Sequence, residues 1–131
     1  MGNIQPTDEQ LANLFNSNDN GPVVMINLLK FNRGDDGTKQ KSADSYNSYM
    51  LATAPFLEAV GGKLLFMGEQ NMIFIGDETD EWDMYLLVEY PSRKAFIEMI
   101  TNQEYIKIHS LREDALENSA LLITTPTFKG A

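Results

Sequence analysis

The run Val23-Val24-Met25-Ile26-Asn27-Leu28-Leu29-Lys30-Phe31, set just after Gly21-Pro22, constrains the fold more than any other stretch of this chain. Odd positions carry Val23, Met25, Asn27, Leu29 and Phe31; even positions carry Val24, Ile26, Leu28 and Lys30. A strand with one wet face alternates apolar and polar residues, whereas a strand covered on both faces does not. Each face of this strand therefore needs a cover. Met84-Tyr85-Leu86-Leu87-Val88-Glu89-Tyr90, stopped by Pro91-Ser92, makes the same demand.

The other elements follow from local chemistry. Thr7 and Gln10 form a capping-box pattern ahead of Leu11, Leu14 and Phe15, which predicts a short N-terminal helix. The run of Asn, Ser, Asp and Gly from Asn16 to Gly21 ends it. Asn32 to Ser42 reads as a polar loop. Tyr46, Tyr49, Met50, Thr53, Leu57 and Val60 recur at helical spacing, predicting a helix over 43–60 with a bend or break at Pro55 and a stop at Gly61-Gly62. A second strand region is expected over 63–76, with Gly68-Glu69-Gln70-Asn71 as a bulge or turn inside it. The acidic 77–83 stretch is expected to be a loop. A helix capped by Ser92, a break at Thr101-Asn102, a second helical segment from Gln103 and a last strand over 120–125 complete the chain.

The 131 residues suffice for one domain with its own core. There is no cysteine, which removes disulfides, thiolate metal sites and cysteine nucleophiles. A single histidine cannot build a His-based metal cluster, and the acidic run Asp77-Glu78-Thr79-Asp80-Glu81 lacks the spaced ligands and central glycine of a calcium loop. No metal or cofactor is expected. The net charge of −9 argues against nucleic acid and anionic membranes as partners. No apolar run reaches the length of a membrane span, and the first residues do not form a signal peptide, so the expected location is the cytoplasm.

After the N-terminal helix the order is strand, helix, strand, strand, helix, strand. Two split strand-helix-strand units make an α+β, ferredoxin-like βαββαβ sandwich, with both helices on one face of a four-stranded antiparallel sheet. Residues 1–20 then form an N-terminal helix and linker, and 21–131 the domain. The second sheet face still carries apolar side chains from the first and third strands. A face of that size does not stay wet on a soluble monomer. Two copies packed sheet to sheet would cover it, so a homodimer is expected; the N-terminal helix, with few apolar residues, is the weaker cover.

Asn27-Leu28-Leu29-Lys30-Phe31 resembles the opening strand of the proteins grouped as domain of unknown function 1330. Tyr49, Gly61-Gly62-Lys63, Trp82, Glu89-Tyr90-Pro91-Ser92 with Ala95-Phe96, Glu104-Tyr105 and Arg112 continue the likeness in order, over roughly 21–125. The resemblance implies the dimeric α/β-barrel superfamily, whose members pair through their sheets, and implies no particular activity. Ile75-Gly76-Asp77 and His109 depart from the family pattern.

Several residues are able to carry chemistry. Asn27 is the one polar residue inside an apolar strand; its amide either holds a ligand carbonyl or hydroxyl or is satisfied by neighbouring protein groups. His109, the only histidine, exchanges protons near neutral pH and precedes Arg112 by three, on one helical face. Together they suit a carboxylate ligand and a proton transfer; the plainer alternative pairs His109 with Glu113 or Glu104 and makes Arg112 a structural tie. Tyr46 and Tyr49 share a helix face and are either pocket hydroxyls or core. Lys30, at a strand end, suits an anion, and Trp82 a pocket mouth. Three functions fit this pattern: a dimeric binder of a small carbonyl or carboxylate compound, with proton-transfer (isomerase-like) activity; a haem-degrading-type monooxygenase, a trade practised on this architecture through an asparagine, a tryptophan and a histidine; and a non-catalytic regulatory or scaffold subunit.

Overall fold

A computed structural model describes residues 2–128; the last three residues of the expected domain lie outside the described residues. Helix α1 (Asp8–Phe15) opens on the expected capping box, with Thr7 accepting from the Gln10 amide and Gln10 accepting from the Thr7 amide. Strand β1 (Val23–Phe31) follows, then α2 (Gln40–Ala59), β2 (Lys63–Glu69), β3 (Met84–Tyr90), α3 (Arg93–Ile100), α4 (Gln103–Ala115) and β4 (Leu116–Thr124). Gly61 closes α2 at φ +79°, a conformation that costs any residue with a Cβ. Ser92 caps α3 through the Ala95 amide, and Asn102 caps α4 through the Glu104 amide.

The strands form one antiparallel sheet in the order β2-β3-β1-β4, so the fold is the ferredoxin-like α+β sandwich. Residues directly opposite in antiparallel strands share a face. The register therefore gives each face as rows across the sheet. On the helix side lie Leu64, Val88, Met25 and Ile123, and beside them Met67, Leu86, Asn27 and Leu121. On the opposite side runs the row Phe66, Leu87, Ile26 and Leu122. The core sits on the helix side, where Val23, Met25, Leu29, Phe31 and Leu86 are buried against Tyr46, Tyr49, Met99 and Tyr105. The opposite row has no cover among the described residues: Phe66 and Leu122 are 53% and 49% exposed.

The N-terminal segment joins the helix side, not the open face. Ile4 packs on the core, Asn3 N–H donates to Asn118 Oδ1 at 2.8 Å, and Ser119 Oγ donates to the Asn3 carbonyl at 2.6 Å.

Five expectations are corrected. Helix α2 starts three residues earlier than 43 and passes through Pro55 unbroken. Pro55 lacks the N–H that would bond the Leu51 carbonyl, but both residues are on the exposed side of the helix, where that carbonyl is open to solvent. The second strand ends at Glu69 rather than reaching 76, because Glu69 pairs with Met84, the first residue of β3, and nothing beyond offers a ladder. The irregularity in β2 lies between Leu64 and Phe66, so Leu64 and Met67 both face the helices. Strand β4 begins at Leu116, straight out of α4, rather than at 120.

Candidate functional site

Between the sheet and helices α2 and α4 lies a cavity of about 1500 Å³, bordered on its open side by α1 and the segment before it. Two helix faces supply its polar wall. Tyr46, Tyr49 and Thr53 stand one above another on α2, and Tyr105, His109 and Arg112 on α4, because spacings of three and four residues return to one face. Sheet residues Met25, Leu86 and Val88 make the floor, with Asn27 and Ser119 as its polar points.

Arg112 is 7% exposed, in the last turn of α4, where a cation suits the helix dipole. Its guanidinium donates to the Ile4 carbonyl at 3.1 Å and reaches Ser119 Oγ at 3.5 Å, the long end of the hydrogen-bond range. Both partners are neutral. Among the described residues no carboxylate lies within ion-pair distance of it; the ion pairs formed are Arg33–Asp83, Lys39–Asp83, Arg93–Asp19, Lys107–Glu104 and His109–Glu113. Glu113 is the carboxylate whose charge it feels, from beyond ion-pair distance; a buried cation with no carboxylate in direct contact is unusual, because desolvation is normally offset by pairing.

His109 Nδ1 lies 2.9 Å from Glu113 Oε1, and its ring meets Tyr49 and Tyr105 edge-on or tilted. The bond from His109, joined by one from the Gln5 side chain, holds the Glu113 carboxyl below its usual range. A carboxylate at Nδ1 favours the tautomer protonated there and leaves Nε2 as the acceptor. The Tyr49 and Tyr105 hydroxyls bond each other at 2.6 Å. Burial pushes the Tyr105 and Tyr46 hydroxyls well above the ordinary phenol range, with Arg112 pulling Tyr46 the other way. These hydroxyls stay neutral at physiological pH, so they serve as hydrogen-bond donors and not as bases.

Asn27 is half-buried at the centre of the floor, and its side-chain amide has no protein partner among the described residues. The reading in which neighbouring protein groups satisfy it is therefore not the one the fold adopts. Lys30 and Trp82 are elsewhere. They line a separate hollow with Gln70, Met72 and Glu81, at the other end of the sheet. The asparagine, tryptophan and histidine of the oxygenase alternative are thus divided between two sites. Sequence reasoning missed Ser119, hidden by the late start expected for β4, and the site role of Tyr105. The latter had a signal: it precedes His109 by four and Arg112 by seven. Among the described residues no group of three or more histidine, aspartate or glutamate side chains is placed to hold a metal ion, and no helix is long and apolar enough to cross a membrane.

Several solved structures share this fold. A protein of unknown function from Rhodopseudomonas palustris is 32% identical, over 98% of this chain and all (100%) of its own, with a TM-score of 0.87. A dimeric protein of unknown function with a ferredoxin-like fold from Bacteroides fragilis is 19% identical, covering 79% of this chain and 95% of its own, with a TM-score of 0.54. SnoaB, a cofactor-independent oxygenase from Streptomyces nogalater, is 14% identical, covering 83% and 96%, with a TM-score of 0.55. At these last two identities the likeness is one of fold. No curated protein matches the chain. The model of the family described as Domain of unknown function (DUF1330) matches residues 38–126, and with α2 through β4 in its span this chain belongs to that family.

Proposed function

We propose that this chain binds a small organic carboxylate in the cavity between sheet and helices, with Arg112 as the anchor for the acid group and Asn27 as the partner of a ligand carbonyl or hydroxyl. The observation that carries the reading is the buried Arg112 guanidinium, which donates to neutral oxygens and, among the described residues, has no carboxylate within ion-pair distance. Guanidinium pairs best with a planar carboxylate, through bonds roughly twice as strong as neutral ones. The apolar floor of Met25, Leu86 and Val88 suits a hydrocarbon body behind the acid group.

The His109–Glu113 pair supports a further step on such a ligand. With Nδ1 bonded to Glu113, Nε2 accepts a proton from a carbon beside a carbonyl, while the Tyr49–Tyr105 pair or Asn27 donates to the carbonyl oxygen. Solvent deuterium entering a bound oxo acid beside its carbonyl, and failing to enter in His109→Gln, is the expected result. Equal exchange in both proteins excludes His109 as the base.

The binding step is tested by isothermal titration with octanoate, and octanamide as the uncharged control. Octanoate binds the wild type, and Arg112→Ala weakens it by about ten- to a hundredfold, the loss of one or two charge-assisted bonds. Unchanged octanoate binding in Arg112→Ala would remove the reading. The homodimer belongs to the same proposal. It rests on the uncovered row Phe66, Leu87, Ile26 and Leu122, behind which the cavity lies on the other side of the sheet.

A further inference from the structure

The anchor for the acid group is already occupied, and the occupant is the chain's own N-terminus. Arg112 donates to the Ile4 carbonyl and Ser119 to the carbonyl of Asn3, the residue before it. Gln5, next along, bonds Glu113, the partner of His109. Three consecutive residues of one segment thus take up the hydrogen-bonding groups at one end of the cavity. We infer that residues 2–15 are a strap that competes with the ligand, so that a carboxylate enters by taking the places of the Asn3 and Ile4 carbonyl oxygens on Ser119 and Arg112. The inference rests on the carboxylate reading of Arg112 given above.

Two features make the strap displaceable. Helix α1 buries none of its residues and holds its own first turn by the Thr7–Gln10 capping box, so it needs no tertiary contact to keep that turn satisfied. The attachment depends on a few polar bonds, the packing of Ile4 and the half-buried Leu11 and Leu14 at the cavity's edge. A carboxylate offers Arg112 a charged acceptor in exchange for a neutral carbonyl, which favours the exchange. One further contact pins the far end. Gly2 runs so close to β4 that a Cβ there would collide with the Glu117 carbonyl oxygen and stand 2.8 Å from Asn118 Cα, both backbone atoms. Any larger residue at this position must push the strap away, without touching a side chain of the cavity.

Full-length Gly2→Val therefore tests the idea. A strap seated nine-tenths of the time or more weakens apparent affinity at least about tenfold, so octanoate should bind Gly2→Val about tenfold tighter than wild type. In the wild type, octanoate should speed hydrogen exchange across residues 2–15, and octanamide should not. Unchanged or weaker octanoate binding by Gly2→Val overturns the inference, as does slower exchange across the segment with octanoate bound, which would make the strap a wall that closes over the ligand. The two readings separate cleanly. Octanoate binding that needs Arg112 but ignores Gly2→Val removes the strap alone; no octanoate binding by either protein removes the anchor and the strap together.

Discussion

Tyr49 and Tyr105 meet hydroxyl to hydroxyl at 2.6 Å in the cavity wall, and both are buried. A buried donor that loses its partner costs more than the bond itself contributed. Tyr49→Phe leaves the Tyr105 hydroxyl stranded, and Tyr105→Phe does the same to Tyr49, so each single change should destabilise by about 1–3 kcal/mol in urea unfolding. The double Phe variant removes both polar groups at once and should cost less than the two singles added together. Strict additivity would show that the bond contributes nothing. At this scale much of the candidate site could be read from spacing: Tyr46 and Tyr49 on one helix, His109 and Arg112 on the other, and Asn27 on a strand. Spacing also argues against Lys30 as a partner of Asn27, and it is silent on Ser119. Lys30 and Asn27 differ by an odd number along a strand, so they point to opposite faces and cannot share a site. Ser119 comes level with Leu29, two places along from the Asn27–Leu121 pair, only through the β1–β4 register, which no local pattern encodes.

At the scale of elements, one aspartate ties the loop after β1 to the start of β3. Asp83 accepts from the Phe31 amide at 2.8 Å and pairs with Arg33 and Lys39, while its own N–H donates to the Leu29 carbonyl. Burial opposes its charge, yet Arg33, the Phe31 amide and Lys39 more than offset that and hold the carboxyl below its ordinary range. A carboxyl whose folded value is depressed stabilises the fold above its unfolded value, and that contribution is lost as pH falls through the folded one. Asp83→Asn keeps an acceptor for the Phe31 amide but removes the charge, so it should cost about 1 kcal/mol at neutral pH, mostly the charge assistance of that half-buried bond, since both cations are well exposed. The gap to wild type should close as pH drops below about 4. A gap independent of pH would mean that the charge is not what holds the loop. Helices and the two inner strands were legible because capping residues and apolar runs are local. The 70–76 stretch was not. Met72, Phe74 and Ile75 look like strand residues but are exposed, Phe74 by 92%, because β3, which begins at Met84, has no residue opposite them. Partner availability, not composition, decides where an edge strand stops.

For the molecule as a whole, the open question is what covers the sheet's second face. The row Phe66, Leu87, Ile26 and Leu122 crosses all four strands and is flanked by Leu28 and Val24 of β1. A second copy laid on this face can bury about 800 Å² per partner, the size of a stable interface. Sedimentation at micromolar concentration should return a dimer for wild type and a monomer for Ile26→Lys, which sets two ammonium groups near the centre of the contact. Each chain carries −9, so the copies repel over distance and added salt should tighten the pair. The cavity lies behind the sheet, walled by α2, α4 and the N-terminal strap of the same chain. Monomeric Ile26→Lys should consequently still bind octanoate, within about the scatter of independent sites far apart. A variant that dissociates and loses octanoate together would show that the partner shapes the cavity through the sheet. A wild type that sediments as a single chain would leave the apolar row wet and end the case for sheet-to-sheet pairing.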